Sequence, residues 1–468
     1  MTKQNFLWQN ITVPKFSMLC AMGMALLAIA LACWCVQYGG QLRRSAVLQA
    51  WQIDLLQAQN DMNTAKTARD DTQLRETAER IKEIEGRRLG GYLEPGREFT
   101  NWDGWRYEEI ARFGYVWDGS DNSLTPDPAT GEMRLKNVVW YPLYPVLGWV
   151  TAKYTGWQVH EALSIISRIC IVLAAGVMFC LGWHWTMRAP ALATQEMTLA
   201  KQAVTYGMWA TAFMVFGSTA VFFYGNFTES LFVLLLAGFL LTLLKQQWWL
   251  AAIIAAIAAA TRSQGVFFGP ILALSYLMRE TDVRFTRRIV VAGILGVISS
   301  LGLLAYMWYL QHTFGDPLAF TKGQKFWSTG INAATLSYAT NPWHIIENLT
   351  HWLQVRPWNW PRVNEAVWLL LPPIVLVIWG WRWLPWEFNL AAWIFWGLPY
   401  VTHGVGGMPP MSHQWMSFGR FMSANVPLLM LMALIATRRP LLGGLLLGFS
   451  AVSFALLSLM YGMGMWVG

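Results

Sequence analysis

Charge is what this sequence has least of. Asp, Glu, Lys and Arg make up 13% of its 468 residues, about half the roughly 25% of an ordinary soluble domain. So few charges cannot clothe a water-facing surface of that extent, which excludes the soluble globular classes. Cysteine is nearly as sparse. Cys20, Cys33, Cys35, Cys170 and Cys180 all stand in apolar stretches without His or Asp at ligand spacing, so neither a zinc module nor a disulfide framework is indicated. Cys33 and Cys35, two positions apart on a helix, face different ways and do not bridge. His312, His344, His351, His403 and His413 follow no metal-site spacing and read as ordinary polar residues. A small-residue cleavage site is also missing after the first apolar run, which is therefore expected to persist as an uncleaved helix.

What is present is apolar sequence in long pieces, with 55% hydrophobic residues and a mean hydropathy of +0.35. The uncharged runs 17–37, 169–183, 231–244 and 289–310 approach or exceed the roughly 20 residues that cross a hydrocarbon core. About eleven transmembrane helices are expected, near 17–37, 162–186, 201–222, 229–246, 248–262, 264–278, 289–310, 366–381, 388–404, 421–437 and 441–464. The fold class is thus an all-α polytopic membrane protein. With the N-terminus in the cytoplasm, the loops carrying Arg188 and Lys201, Lys245, Arg279 to Arg288, Arg382, and Arg438 and Arg439 all fall inside. The net charge of +8 is then a topology signal and implies no nucleic acid.

The segment 138–155 is apolar but short and interrupted by Pro142 and Pro145. Counting it as a span would turn the basic loop 279–288 outward, so it reads as a membrane-embedded or surface element. The expected organisation is a tail and first helix (1–40), a large helical first extracytoplasmic loop (41–161) and a transmembrane core (162–310). A second large extracytoplasmic loop (311–365) and C-terminal helices (366–468) follow. This is a multi-pass protein of the bacterial inner membrane, or of the endoplasmic reticulum in a eukaryote, with its chemistry on the extracytoplasmic face.

Within the first loop, 41–90 is an insertion dense in Ala, Gln, Glu, Arg and Lys, with Leu74, Ala78, Ile81 and Ile84 at helical spacing. It reads as one or two water-exposed helices, broken near Asp70 or at Gly86 to Gly91, that scaffold the loop or dock a protein partner. Tryptophan is abundant, 29 in all, and Trp102, Trp105, Trp117, Trp327, Trp343, Trp352, Trp358 and Trp360 fall in polar loops. Such residues form interfacial belts, or stack on sugars where they surround a reactive group.

Polar groups near a membrane are costly and mark function. Asp103, in Asn101-Trp102-Asp103-Gly104-Trp105-Arg106-Tyr107, precedes Tyr107, Ile110 and Ala111 at helical spacing. It either N-caps a short amphipathic surface helix or serves as a base. Glu229 opens an apolar helix, where a carboxylate favours the helix dipole or holds an acceptor hydroxyl or a divalent metal, the metal ligands being unassigned. Arg262 is placed to hold a phosphate or to pair with Glu229, and Lys322, Lys325, Arg356, Arg362 and Arg420 also fall on external loops.

Trp102-Asp103-Gly104, Tyr107, Gly114-Tyr115, Tyr141-Pro142-Leu143-Tyr144-Pro145 and Thr228-Glu229-Ser230-Leu231-Phe232 stand in this order. They are followed by Thr261-Arg262-Ser263-Gln264-Gly265, Phe314-Gly315-Asp316-Pro317, Gln324, Trp327 and Ser417-Phe418-Gly419-Arg420-Phe421. The series, over about 100–430, resembles the PIG-V-like mannosyltransferases of the GT-C class. That resemblance implies a bundle of transmembrane helices moving a hexose, most often mannose, from a polyprenyl-phosphate donor to an acceptor hydroxyl of a glycolipid or glycan with inversion. It implies Asp103 as general base and Glu229 as the second-loop acidic position. Arg262, Arg420 and Lys322 are the candidates for the donor phosphate. Trp102, Trp105, Tyr107, Tyr141, Tyr144, Glu229, Gln264, Gln324 and Trp327 are those for acceptor or sugar. The insertion at 41–88 departs from the family pattern. The competing readings are a GT-C enzyme for another lipid-linked sugar, a lipid or solute transporter, and a scaffold without chemistry. Charges gathered at one face, without an internal repeat, count against transport.

Overall fold

The computed structural model describes residues 12–86, 97–189, 197–327, 341, 343, 360–403 and 417–467, with backbone alone at 83–86, 327, 362 and 403. Arg356, His344, His351 and His413 lie outside the described residues, as do the side chains of Trp327, Arg362 and His403.

The first helix, α1 (Lys15–Ala68), does not stop at position 37 but runs unbroken for 54 residues through the apolar run into the insertion. No proline interrupts it, and Ala, Gln and Leu sustain helix once the lipid ends. Gly39-Gly40 is tolerated because the helix is packed there: a Cβ on Gly39 would overlap the Leu459 carbonyl oxygen. Arg69, in the left-handed region at φ 53°, turns the chain. The Asp70 carboxylate accepts the backbone N–H groups of Thr72 and Gln73 and so starts α2 (Asp71–Gly86), which folds back on α1. The insertion is therefore a helical hairpin hinged at Arg69 and Asp70.

Helix α3 (Asp103–Phe113) forms as expected but is packed into protein, with Arg106, Tyr107, Glu108, Glu109, Ile110 and Ala111 buried. A two-stranded antiparallel ribbon, β1 (Leu124–Pro126) with β2 (Met133–Leu135), follows. Arg134 ties that ribbon to Glu109 of α3 at 3.0 Å. The ambiguous segment becomes α4 (Leu143–Thr155), whose 13 residues are too short to cross a bilayer.

The bundle then comprises α5 (Val159–Arg188), α6 (Leu199–Val215), α7 (Glu229–Leu244), α8 (Trp248–Ala259), α9 (Phe268–Arg279) and α10 (Phe285–Phe314). After the second loop come α11 (Trp360–Val375), α12 (Trp386–His403), the short α13 (Phe418–Ser423), α14 (Val426–Arg438) and α15 (Pro440–Gly462). Two expected helices are divided. The one near 201–222 ends at Val215, whose carbonyl accepts the Tyr224 hydroxyl at 2.6 Å, and resumes as the single turn Val221–Tyr224. The one near 421–437 is broken at Asn425, whose side chain caps α14 while donating to the Ala392 carbonyl.

Among the described residues, five helices are long and apolar enough to cross a membrane: α1, α5, α10, Val363–Trp383 and α15. Glu229–Leu244, Trp248–Ala259 and Val426–Arg438 are shorter apolar helices, and the chain is an all-α polytopic membrane protein.

Close approach of α1 and α15 makes Gly39 sensitive to any side chain, whereas Gly23 on the same helix has open space beside it. Gly39→Ala is expected to cost about 1–3 kcal/mol and lower the unfolding midpoint, and Gly23→Ala to leave it unchanged. Equal midpoints for the two purified variants would refute this packing.

The ribbon loop responds to acid. The Arg134 guanidinium, aided by the Ala129 N–H, holds the Asp127 carboxyl below the usual carboxylate range. A folded value below the unfolded one means this stabilisation is present above roughly pH 4 and is lost as pH falls through the folded value. Amide protection at 124–135, taken against the intrinsic exchange rate at each pH, should therefore fall below about pH 4, ahead of the helices, and a uniform change across the chain would contradict it.

Candidate active site

Asp103 is reached through a strained residue. Trp102 holds φ 57° and ψ −126°, a region that side-chain-bearing residues rarely occupy. Contacts from distant elements over-determine it. The Asn101 amide donates to the carbonyls of Glu98 and Tyr461, each at 2.9 Å, and the Tyr461 hydroxyl donates to Phe99 O at 3.1 Å. The Asn226 N–H donates to Phe99 O at 3.0 Å, and its side chain bonds Thr100, His160 and Ser164. Gly104 lies against this residue: a Cβ there would stand 3.2 Å from Asn226 O. The Trp-Asp-Gly segment is thereby seated on the turn that precedes Glu229.

Asp103 is the first helical residue of α3, Trp102 occupies the N-cap position, and no side chain caps the helix. The Asp103 carboxylate instead accepts from Arg420 Nη1 at 2.5 Å and remains 33% exposed. Arg420, buried in α13, directs Nε to Glu229 Oε1. Arg262 Nη1 donates to the same oxygen at 2.6 Å and to Thr228 Oγ1 at 3.3 Å, while its Nε donates to Gln264 Oε1 at 3.1 Å. Two guanidinium groups thus balance two carboxylates, and Glu229 Oε2 has no partner among the described residues.

Aromatic rings enclose the arginines. Arg420 lies 4.6 Å from the Phe227 ring and 5.3 Å from Phe222; Arg262 lies 5.1 Å from Phe421 and 5.6 Å from Phe232. Such faces stabilise a cation without neutralising it. Burial by itself would lower the Arg420 value, but Glu229 and Asp103 raise it above the ordinary one. Tyr107, with its hydroxyl 3.4 Å from Thr228 Oγ1, is pushed up to about 12 by burial and then by Glu229, so it stays protonated and acts as a hydrogen-bonding group.

Asp103, Glu229, Arg262, Gln264, Arg420 and Tyr107 therefore share one cluster. Trp102 and Trp105, 45% and 37% exposed, stand on either side of Asp103 in sequence. Tyr144 supports Tyr107 from behind with rings 5.3 Å apart, while its hydroxyl lies 2.7 Å from Ser167 Oγ. Tyr141 belongs to a neighbouring aromatic cluster with Tyr306 and Phe320, and Lys322 pairs with Asp316 on the surface at 2.8 Å. Gln324 is half-buried in the short helix Gly323–Trp327. The motif strings held Asn101, Asn226 and Thr228 without assigning them a site role, and Tyr461 and Trp466, whose ring meets Trp102 edge-on at 5.2 Å, were not singled out. Lone polar residues in apolar runs, Tyr461 above all, were the available signal. Among the described residues no three His, Cys, Asp or Glu gather to hold a metal ion.

No family model matches the chain, and a search of curated proteins finds no match. Among solved structures the chain is similar to the Archaeoglobus fulgidus oligosaccharyltransferase in its apo form, at 12% identity and a TM-score of 0.40, covering 79% of this chain and 52% of that one. Its complex with Zn and sulfate matches at 11% and 0.38, covering 79% and 49%. The chain spans about half the length of these structures, and scores of this size carry no argument about function.

Removing one member of a buried ion cluster strands its partners. Arg420→Gln is expected to destabilise the protein by about 3–5 kcal/mol, and Glu229→Gln in the same chain to restore part of that loss. Strictly additive losses in thermal unfolding of the single and double variants would show that the pair is not coupled.

Proposed function

We propose that the chain is a GT-C-class membrane glycosyltransferase similar to the PIG-V-like mannosyltransferases. It transfers a hexose, mannose in the first instance, from a polyprenyl-phosphate donor to an acceptor hydroxyl of a glycolipid or glycan at the extracytoplasmic face. One observation carries the reading. The motifs that stand in family order, Trp102-Asp103-Gly104, Thr228-Glu229, Thr261-Arg262-Ser263-Gln264-Gly265 and Phe418-Gly419-Arg420, come from four separate segments and meet in one charge-balanced cluster.

In the proposed reaction Asp103, oriented by its ion pair with Arg420, accepts the proton of the acceptor hydroxyl as that oxygen attacks the anomeric carbon. The bond from the anomeric carbon to the phosphate oxygen breaks on the opposite face, which inverts the configuration. The departing polyprenyl phosphate leaves with the bonding electron pair, and its charge is received by Arg262 and Arg420. Their bonds to Glu229, Asp103, Thr228 and Gln264 engage Nε and Nη1, and among the described residues the second terminal nitrogen of each is left for phosphate. A small crevice beside Arg262 is lined by Phe232, Gln264, Phe395, Phe421 and Ala424. Trp102 and Trp105 offer stacking faces for the acceptor sugar.

The test is turnover of radiolabelled polyprenyl-phosphate mannose by purified protein with a lipid extract as acceptor source. Wild type should consume the donor, and Asp103→Asn should lose about 10²- to 10⁴-fold in rate while remaining folded, with its unfolding midpoint lowered because Arg420 loses one of its two charge partners. Wild-type turnover by the Asn variant would remove Asp103 as the base. Consumption of a different polyprenyl-phosphate hexose, with mannose untouched, would retain the class and change the sugar.

A further inference from the structure

Arg168 sits inside the span α5, one residue before the apolar run begins. Arg188 and Arg168 are 20 positions apart (188 − 168), about 30 Å of helix at ~1.5 Å per residue, which is the thickness of a hydrocarbon core. Helix α1 gives the same depth independently. It runs antiparallel to α5, with Cys180 meeting Met18 at 3.6 Å and Arg168 within electrostatic reach of Cys33. From Lys15 to Cys33 is 18 positions (33 − 15), or about 27 Å. Arg168 therefore lies at the level of the lipid phosphates in the leaflet opposite Lys15 and Arg188.

Among the described residues its surroundings supply no anion. The guanidinium carbon stands 4.9 Å over the Phe99 ring, and the buried Nε has no hydrogen-bond partner. At the same end of the molecule Arg44 pairs with Glu98, Arg97 and Arg112 with Glu108, and Arg106 and Arg134 with Glu109. No carboxylate does this for Arg168 among the described residues. Arg168 is half-buried: its Nε is enclosed and its guanidinium lies against Phe99, so the surface it keeps lies at the depth of the lipid phosphates. An ionised side chain so placed calls for an anionic partner from the membrane.

We propose that Arg168 binds the phosphate of a membrane lipid that enters between α1 and α5 from that leaflet. The same chemistry comes from two sources, a bilayer phospholipid or a polyprenyl phosphate. The site backs onto the carboxylate cluster: Ser167, on the same turn, is 3.3 Å from Phe227 O, and Phe99 O is held by Asn226 and Tyr461. Lipid binding there is measured without turnover, so it stands or falls separately from the transferase reading.

The probe is benzoylphenylalanine introduced at Ile169, which is 55% exposed on the lipid side, in the otherwise intact full chain in detergent. Radiolabelled phosphatidic acid, undecaprenyl phosphate and uncharged dioleoylglycerol are photocrosslinked in turn. Phosphate lipids should label the site at least about tenfold more than dioleoylglycerol, and Arg168→Gln should abolish that preference while Arg168→Lys keeps part of it. Labelling by both phosphate lipids identifies a bilayer phospholipid as the occupant; labelling by undecaprenyl phosphate alone identifies the lipid-linked substrate. Equal labelling by dioleoylglycerol with Arg168 intact overturns the proposal, and that arm needs no variant of Arg168.

Discussion

The site depends on a balance of charge in a place where charge is expensive. Glu229, fully buried at the start of an apolar helix, is stable there only because Arg262 and Arg420 both donate to one of its oxygens. Arg420 in turn is tolerable only because it has a second carboxylate, Asp103, on its other side. Since continuum arguments make such clusters neutral at best against an apolar core, the cluster earns no stability and is better understood as an arrangement kept for what it does. It leaves the outermost carboxylate, Asp103, oriented by Arg420 and partly open to solvent.

Around this balance the rest of the upper molecule is a positioning frame. Asn101, Asn226 and Tyr461 fix the backbone before Asp103 through hydrogen bonds from three parts of the chain. The Arg134 bridge from the ribbon to Glu109 holds α3 from outside. The aromatic cluster of Trp117, Tyr141, Tyr306 and Phe320 ties the start of the second loop to the first. Rigid support of this kind is what distinguishes a strained but defined Trp102 from a merely irregular loop.

The membrane class was legible because hydropathy over a span is a local property, as in 289–310, which became most of α10. Breaks made by tertiary contacts were harder to read: little local marks Val215 as an end, and the start signal Asn425-Val426-Pro427 is set inside an apolar run. The continuity of α1 was hidden for the opposite reason, since composition shifts at position 37 without any change of backbone state. At the site, residue types announced the charges, and pairing of Arg262 with Glu229 was among the alternatives. Spacing could not decide whether Asp103 caps α3, because that turns on the backbone of Trp102. Nor does motif order reveal that Tyr141 and Lys322 stand apart from the cluster. Arg168 went unnoticed because a single arginine at the edge of a run reads as its boundary.

The bonds to Tyr461 have a bearing on how the protein is made. Asn101 and Tyr461 are 360 positions apart, and Arg420 is 317 from Asp103. A chain that enters the membrane from its N-terminal side has its strained Trp102 segment in place long before α13 and α15 exist to hold it. Until those late helices arrive, Glu229 has at most one of its two arginines and Asp103 has none. The nascent protein therefore passes through most of its insertion without the assembled cluster, and completion of that cluster becomes a report that the last helices have been threaded correctly.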